Sequence, residues 1–239
     1  MIEAHLMKLR RRDEVSPAEE AVLRGLIGDV RKYAADQVII KAGVELHESL
    51  LVLEGWLARA RDLAEGQRQM TEIHLPGDFA DLHSFTLKRL EHNVVSLTPC
   101  TIAAVPHQRL QEMTEKHPHL TRLSWFSTNL DAAIHREWAV SLGRRPALAR
   151  TAHLFCELYI RLEIIGRTNG NSYEFPLTQA ELAECLGLTP VHINRTLQEL
   201  RSRKLIELEQ RQVTLLDLPK LKEVAEFDPA YLYLERRPR

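Results

Sequence analysis

The stretch that most limits what this 239-residue chain can become runs from Leu177 to Leu216, where signals for two short helices, a tight turn and a hairpin follow without a gap. Thr178-Gln179-Ala180-Glu181 is a capping box, in which threonine and glutamate side chains each satisfy an orphan N–H of the first turn. Leu182, Cys185 and Leu186 share one helical face, with small Ala183 where another helix can cross closely. Gly187 suits the left-handed backbone that ends a helix, and Leu188 plugs the turn. Thr189-Pro190 opens a second helix as N-cap and first-turn proline. Ile193, Leu197 and Leu200 face inward from it, which leaves Val191, His192, Asn194, Arg195 and Gln198 facing outward. Leu205 to Leu208 and Val213 to Leu216, connected by Glu209-Gln210-Arg211-Gln212, predict a β-hairpin.

Helix, glycine turn, helix and hairpin is the pattern of a winged helix-turn-helix. The second helix would enter the major groove by its N-terminal half, where the helix dipole favours phosphate. Arg195 is the expected base reader, because a guanidinium can donate twice to guanine O6 and N7. Asn194 suits adenine or a phosphate, and Val191 suits a thymine methyl. Arg201, Arg203, Lys204 and Arg211 add phosphate contacts. Gln179, Pro190 and Gln198 complete the expected DNA-facing set. The alternative is a solvated basic edge on an ordinary helical pair, part of an effector-binding or protein-interaction module that no longer reads DNA.

The remainder of the chain changes period twice. Ser16-Pro17-Ala18-Glu19 is another capping box, opening a short helix toward Val30. From about Tyr33 to Pro106 short apolar runs alternate with turns at Gly43, Gly55, Gly66 and Gly77, which predicts a small β-barrel or roll. From Gln108 to Leu142 the period is helical. Leu123, Phe126, Leu130, Ile134, Trp138 and Leu142 form a single apolar stripe that either packs within the chain or pairs with a second copy, and Pro118 limits where the long part begins. Gly143 to Pro146 breaks the pattern. The expected organisation is α+β: a roll with its N-terminal helix over 1–107, a dimerisation helix and hinge over 108–143, and a winged helix-turn-helix over 144–239.

Charge and cysteines narrow the class. Lys+Arg 32 against Asp+Glu 33 rules out a strongly basic coat protein. Residues 1–143 hold 17 basic and 20 acidic side chains (net −3) and residues 144–239 hold 15 and 13 (net +2), a shift toward the half expected to meet DNA. No run of 18 apolar residues occurs and the N-terminus lacks a signal-peptide h-region, so neither membrane insertion nor secretion is expected. Cys100, Cys156 and Cys185 are odd in number and far apart, which predicts buried thiols in the reducing cytoplasm and no zinc or iron–sulfur site. No hydrolase, P-loop or paired-carboxylate motif is present, so no enzyme activity is expected.

The sequence resembles the Crp/Fnr family of bacterial transcription regulators over nearly its whole length. LTQAELAECLGLTPVHINRTLQELRSRKLIEL at 177–208 is similar to that family's winged helix-turn-helix. IIKAG at 39–43, LLVLEGWLARA at 50–60, LPGDFADLHS at 75–84 and TPCTIAAVP at 98–106 resemble its cyclic-nucleotide-binding-type roll. The resemblance implies a homodimer on a palindromic operator, contact with RNA polymerase, phosphate contacts at Thr178, Thr189 and His192, and base contact at Arg195. It also implies an effector pocket near His74, Asp81, Leu82, His83, Glu91 and His92. Family members that bind cyclic nucleotide carry a Gly-Glu-Leu stretch and an Arg-Ser pair there. Here these read Ala80-Asp81-Leu82 and Leu90-Glu91-His92, without an arginine, so cAMP is not expected. The N-terminal cysteine cluster of the family's oxygen sensors is absent too, and no iron–sulfur cluster is expected. His74, His83 and His92, with Asp78 and Asp81, raise haem or metal sensing as an idea, but strand and loop histidines are by default hydrogen-bonded residues and no metal site is expected. The sequence itself names no cofactor, and a vestigial roll on a constitutive DNA binder is a further alternative.

Overall fold

The computed structural model describes residues 1–239. In chain order the elements are α1 (Glu3–Arg10), α2 (Pro17–Gly25), β1 (Val30–Tyr33), β2 (Val38–Ile40), β3 (Glu48–Glu54), β4 (Leu57–Asp62), β5 (Arg68–His74), α3 (Ser84–Leu87), β6 (Asn93–Ser96), β7 (Cys100–Pro106), α4 (His107–Lys116), α5 (Pro118–Arg144), α6 (Ala147–Ile164), β8 (Thr168–Asn169), β9 (Ser172–Glu174), α7 (Gln179–Leu186), α8 (Pro190–Ser202), β10 (Ile206–Glu209), β11 (Gln212–Leu215) and α9 (Leu218–Ala225), with a final 3₁₀ turn at Pro229–Leu232. The chain divides into two compact units. The first comprises 1–61, 72–133 and 233–239, and the second comprises 62–71 and 134–232.

The roll consists of two antiparallel sheets, ordered β1-β7-β3 and β2-β6-β4-β5. In β3 and β7, Leu50 pairs with Ala104 and Val52 with Ile102. These four side chains face the interior with Ile40, Leu57, Leu90 and Val94. Their neighbours Leu51, Ala103 and Val105 point to the other face and are covered by Ile2, Leu6, Leu23, Leu110, Leu120 and Leu123 from the helices. A sheet buried on both faces has no polar side, which is why LLVL and TIAAV read as continuous apolar runs rather than alternating ones.

Helix α1 is absent from the reading of the sequence. Its N-cap, Ile2, makes no side-chain capping bond, so no local signal marks its start. Tertiary packing holds it: Ile2 and Leu6 enter the core, and His5 Nδ1 donates to the Gly77 carbonyl (2.9 Å). Gly77 has φ +87°, and a Cβ there would lie 2.6 Å from the Ala4 carbonyl carbon, so only glycine lets the helix approach this closely. The capping box at Ser16 forms as expected, with Ser16 Oγ accepting from Glu19 N (3.3 Å) and Glu19 Oε2 accepting from Ser16 N (2.9 Å). The helical stretch after Pro106 is two helices. His117 leaves helical geometry (φ −128°, ψ 80°) and Pro118 opens α5, since a proline lacks the N–H that would continue the first helix.

In the second unit α6 is the central helix, with Phe155, Cys156 and Leu158 fully buried, and it packs against α7, α8 and α9. The Gly/Asn-rich segment at 166–171 leads through the hairpin β8–β9 (Thr168↔Tyr173), which extends the wing into a four-stranded sheet, β10-β11-β9-β8. The wing turns through Gln210 and Arg211, both at positive φ (47° and 64°), the twist that two-residue hairpins favour. Asp217 caps α9 by accepting from Lys220 N (3.0 Å). The chain ends in the first unit. There Arg237 N donates to the Arg12 carbonyl (2.9 Å) and the Arg239 guanidinium lies 3.6 Å from the Phe126 ring centroid.

Candidate nucleic-acid interface and the polar cluster of the roll

The helix-turn-helix is specified step by step by its own residues. Thr178 Oγ1 accepts from Glu181 N (3.2 Å), while Glu181 Oε2 accepts from Thr178 N (2.6 Å). Gly187 takes φ +59° and ψ 41°, and Leu188 N closes the turn on the Ala183 carbonyl (3.0 Å). Thr189 Oγ1 then accepts from His192 N (3.2 Å), and Pro190 begins α8. Ile193, Leu197 and Leu200 are fully buried on one side of α8, where they meet the buried Leu182, Ala183 and Leu186 of α7.

The opposite side of α8 lies open. Val191 is 64% exposed, a large apolar side chain held in water at the helix start. His192, Arg195 and Gln198 are exposed beside it, and Thr178, Gln179, Thr189 and Pro190 form the exposed rim. Asn194 is half-buried and its Nδ2 donates to Gln179 Oε1 (3.5 Å), so it also braces the two helices. The basic residues divide. Arg203 pairs with Glu199, and Arg201 Nη2 donates to the Leu208 carbonyl (3.2 Å), stiffening the wing. Arg195, Lys204 and Arg211 are exposed and take part in no intrachain ion pair.

The residues expected to line an effector pocket do not all come together. His74, His83 and His92 gather around a residue that sequence reasoning missed, Arg59 on β4. Arg59 Nη1 donates to Glu72 Oε2 on β5 (2.9 Å) and to Asp131 Oδ2 on α5 (2.8 Å). Its Nε and Nη2 donate to the Ala80 carbonyl (3.0 and 2.8 Å), and Nη2 lies 3.4 Å from His83 Nδ1. The His83 and His92 rings are 5.8 Å apart between centroids, and His92 Nδ1 meets Glu91 Oε1 at 3.0 Å, with Glu91 on the exposed rim. Burial pushes the His83 pKa down to about 4, with Arg59 adding to the effect, and it lowers His92 too. For Asp131 burial acts to raise the pKa, but Arg59 and His74 outweigh it and the net shift is downward.

Asp81 and Leu82 make none of the hydrogen bonds of this cluster, although Arg59 lies near enough to Asp81 to favour its charged form. The Asp81 carboxylate accepts from Leu50 N (2.6 Å) and from Ser84 Oγ (3.0 Å), fastening the loop to β3, and burial pushes its pKa up to about 7. Leu82 packs into the helix-covered core. A buried charge in LARA was the one sequence signal for Arg59, since a lone arginine among small apolar residues needs partners.

The stripe expected to face a partner copy is used largely within the chain. Leu123, Ile134 and Trp138 are buried, and Phe126 and Leu130 are half-buried. Trp138 Nε1 donates to Glu157 of α6 (3.2 Å), a buried carboxylate that also accepts from Arg161 (2.9 Å) and Tyr231 (2.8 Å). The exposed large residues of α5 are Trp125 (67%) and Val140 (50%). The three cysteines are buried and unpaired. Burial pushes the Cys100 thiol up to about 11 and Cys156 up to about 12, so neither is a ready nucleophile.

A winged helix-turn-helix with an open recognition face, following a β-roll and a long helix in the chain, defines a DNA-binding transcription regulator. Residues 30–117 match the family model for the cyclic nucleotide-binding domain, and residues 149–224 match that for the Crp-like helix-turn-helix domain. The chain belongs to the Crp/Fnr family of transcription regulators. The transcriptional activator protein FnrL of Cereibacter sphaeroides is 29% identical over 214 residues, which span 87% of this chain and 85% of that protein. A probable transcriptional activator of Rhizobium leguminosarum bv. viciae is 27% identical over 197 residues, 81% of this chain and 80% of that protein. FixK2 of Bradyrhizobium japonicum has the same fold, with a TM-score of 0.76 at 21% identity over 83% of this chain and 98% of that one.

Proposed function

We propose that the chain acts in the cytoplasm as a homodimer that binds a palindromic operator in a sequence-specific way, with one α8 in each of two major-groove segments about 34 Å apart. One observation carries this reading: α8 buries its whole apolar side and leaves Val191, His192, Arg195 and Gln198 open to solvent. Arg195 reads a guanine, and Val191 meets a thymine methyl. Thr178, Gln179, Thr189, Pro190 and Asn194 set the approach, while Arg201, Arg203, Lys204 and Arg211 contact phosphates, Lys204 and Arg211 without first breaking an ion pair. The second copy packs on the outer stripe of α5, where Trp125, Asn129, Ala132, Arg136 and Val140 recur at three- and four-residue steps. Contact of the bound dimer with RNA polymerase follows from the family's way of working.

We infer that the roll does not hold cAMP in the manner familiar for the family. The segment Leu90-Glu91-His92 offers a carboxylate and no arginine for a phosphate, and the guanidinium of Arg59 is already bonded to Glu72, Asp131 and Ala80. The test is selection of bound duplexes from a random pool, followed by a salt titration of the selected site. An enriched palindrome is expected, with affinity falling steeply as salt rises and a log–log slope about 0.9 shallower per chain for Lys204→Ala. No enrichment, or binding indifferent to salt, refutes the reading.

A further inference from the structure

Around Arg59 two carboxylates share one guanidinium nitrogen, that of the buried Glu72 and that of the half-buried Asp131. Glu72 and His74 are 1% exposed and stand two residues apart on β5, on the same face of the strand. Asp131 reaches them from α5. One donor atom from each of Glu72, His74 and Asp131 lies within 4.8 Å of the others. An imidazole nitrogen with two carboxylate oxygens suits a first-row divalent ion better than calcium or magnesium, which prefer oxygen alone. Bonds of about 2.1 Å would bring such donors about 3–3.5 Å apart, a contraction within reach of side-chain rotation. Arg59 prepares the site, since its Nη1 turns both carboxylates toward one point while Nε and Nη2 stay on the Ala80 carbonyl. Close by, His92 is buried with no hydrogen-bond partner on Nε2, a further nitrogen donor beside the cluster. Histidine spacing alone points to no metal site, because the set needs Asp131, 57 positions beyond His74.

We propose that Glu72, His74 and Asp131 form a binding site for a first-row divalent transition-metal ion, and that its occupancy draws α5 against β5 to change operator affinity. The site stands on geometry alone, and only its regulatory consequence rests on the DNA-binding reading above. An ion shifts the setting of α5 only as far as it binds one setting better than the other, typically about 5- to 150-fold in coupled affinity.

The experiment uses the full chain, stripped with chelator and dialysed against Co²⁺, Mn²⁺ or Zn²⁺ with Mg²⁺ as control. About one ion per chain is expected, with visible Co²⁺ absorption bands of a low-symmetry site and a raised melting temperature. His74→Gln and Asp131→Asn should each weaken binding about tenfold or more. Melting curves in chelator confirm that each variant is folded, and the cobalt spectrum of the unaltered chain gives a readout that needs no variant. Absence of stoichiometric binding at millimolar ion, or equal affinity in both folded variants, overturns the site. An ion bound here that leaves operator affinity unchanged overturns its regulatory role. An ion bound by a chain that selects no DNA supports the site and refutes the DNA-binding reading instead.

Discussion

The roll and the recognition helix treat arginine in opposite ways. Arg59 is 4% exposed, and every nitrogen of its guanidinium has a partner within the chain. Arg195 stands on the surface with none. A buried guanidinium has lost its water and must be repaid by neighbours, so it reports on how strand and helix are held together. An exposed one keeps its hydrogen-bonding capacity for a molecule outside the chain. The two halves of the molecule therefore separate structural charge from recognition charge, and removing each should have a different signature.

Arg59→Ala should have the largest effect, because it leaves the buried Glu72 carboxylate without its cation and beside Asp131. We expect a loss of about 3–5 kcal/mol in unfolding free energy, read by urea denaturation. Retention of full stability would show that the cluster is wetter than its geometry implies. Asp81 tests the same half by pH. Its folded pKa, about 7, lies above its ordinary value of 3.8, so folding favours the protonated form. The stabilisation is complete below about pH 4 and is lost as pH rises through about 7. Asp81→Asn should flatten the decline in stability between about pH 4 and 8, and parallel pH profiles for the two proteins would count against it.

On the recognition side the expected pattern is reversed. Arg195→Ala should weaken operator binding by about 1–3 kcal/mol and relax base preference at one position, while stability changes by less than about 0.5 kcal/mol. Fluorescence anisotropy and a thermal melt of the same sample separate the two quantities. Thr178→Ala lies between the extremes, since it removes a cap from α7 at the edge of the interface. About 1 kcal/mol of stability should go, and a variant as stable as the parent would mean that Glu181 alone holds the helix start.

This contrast also explains what the sequence disclosed. The helix-turn-helix was legible to the residue because its determinants are local: Thr178 with Glu181, Gly187 at positive φ, and Thr189 before Pro190 all act within a few positions. The wing followed from two apolar runs joined by a polar turn. The Arg59 cluster was not legible, since its members come from β4, β5 and α5 and no periodicity links residues 59, 72 and 131. Helix α1 was missed for a related reason, as it lacks a cap and depends on Gly77, more than seventy residues away in the chain. The pairing stripe of α5 was half legible. Helical period showed that the face exists, but whether α6 or a second copy covers it depended on Glu157 accepting from Trp138.

The threading of the chain has a consequence for how this molecule can be taken apart. Residues 62–71 leave the first unit and return, and residues 233–239 come back to it after the second unit is complete, with Arg239 resting on Phe126. No single peptide-bond cleavage yields a fragment holding the whole of either unit and nothing of the other. A protease nick in the 143–146 segment would leave the pieces interlocked, and a gene fragment cut there would inherit a torn half rather than a transplantable module.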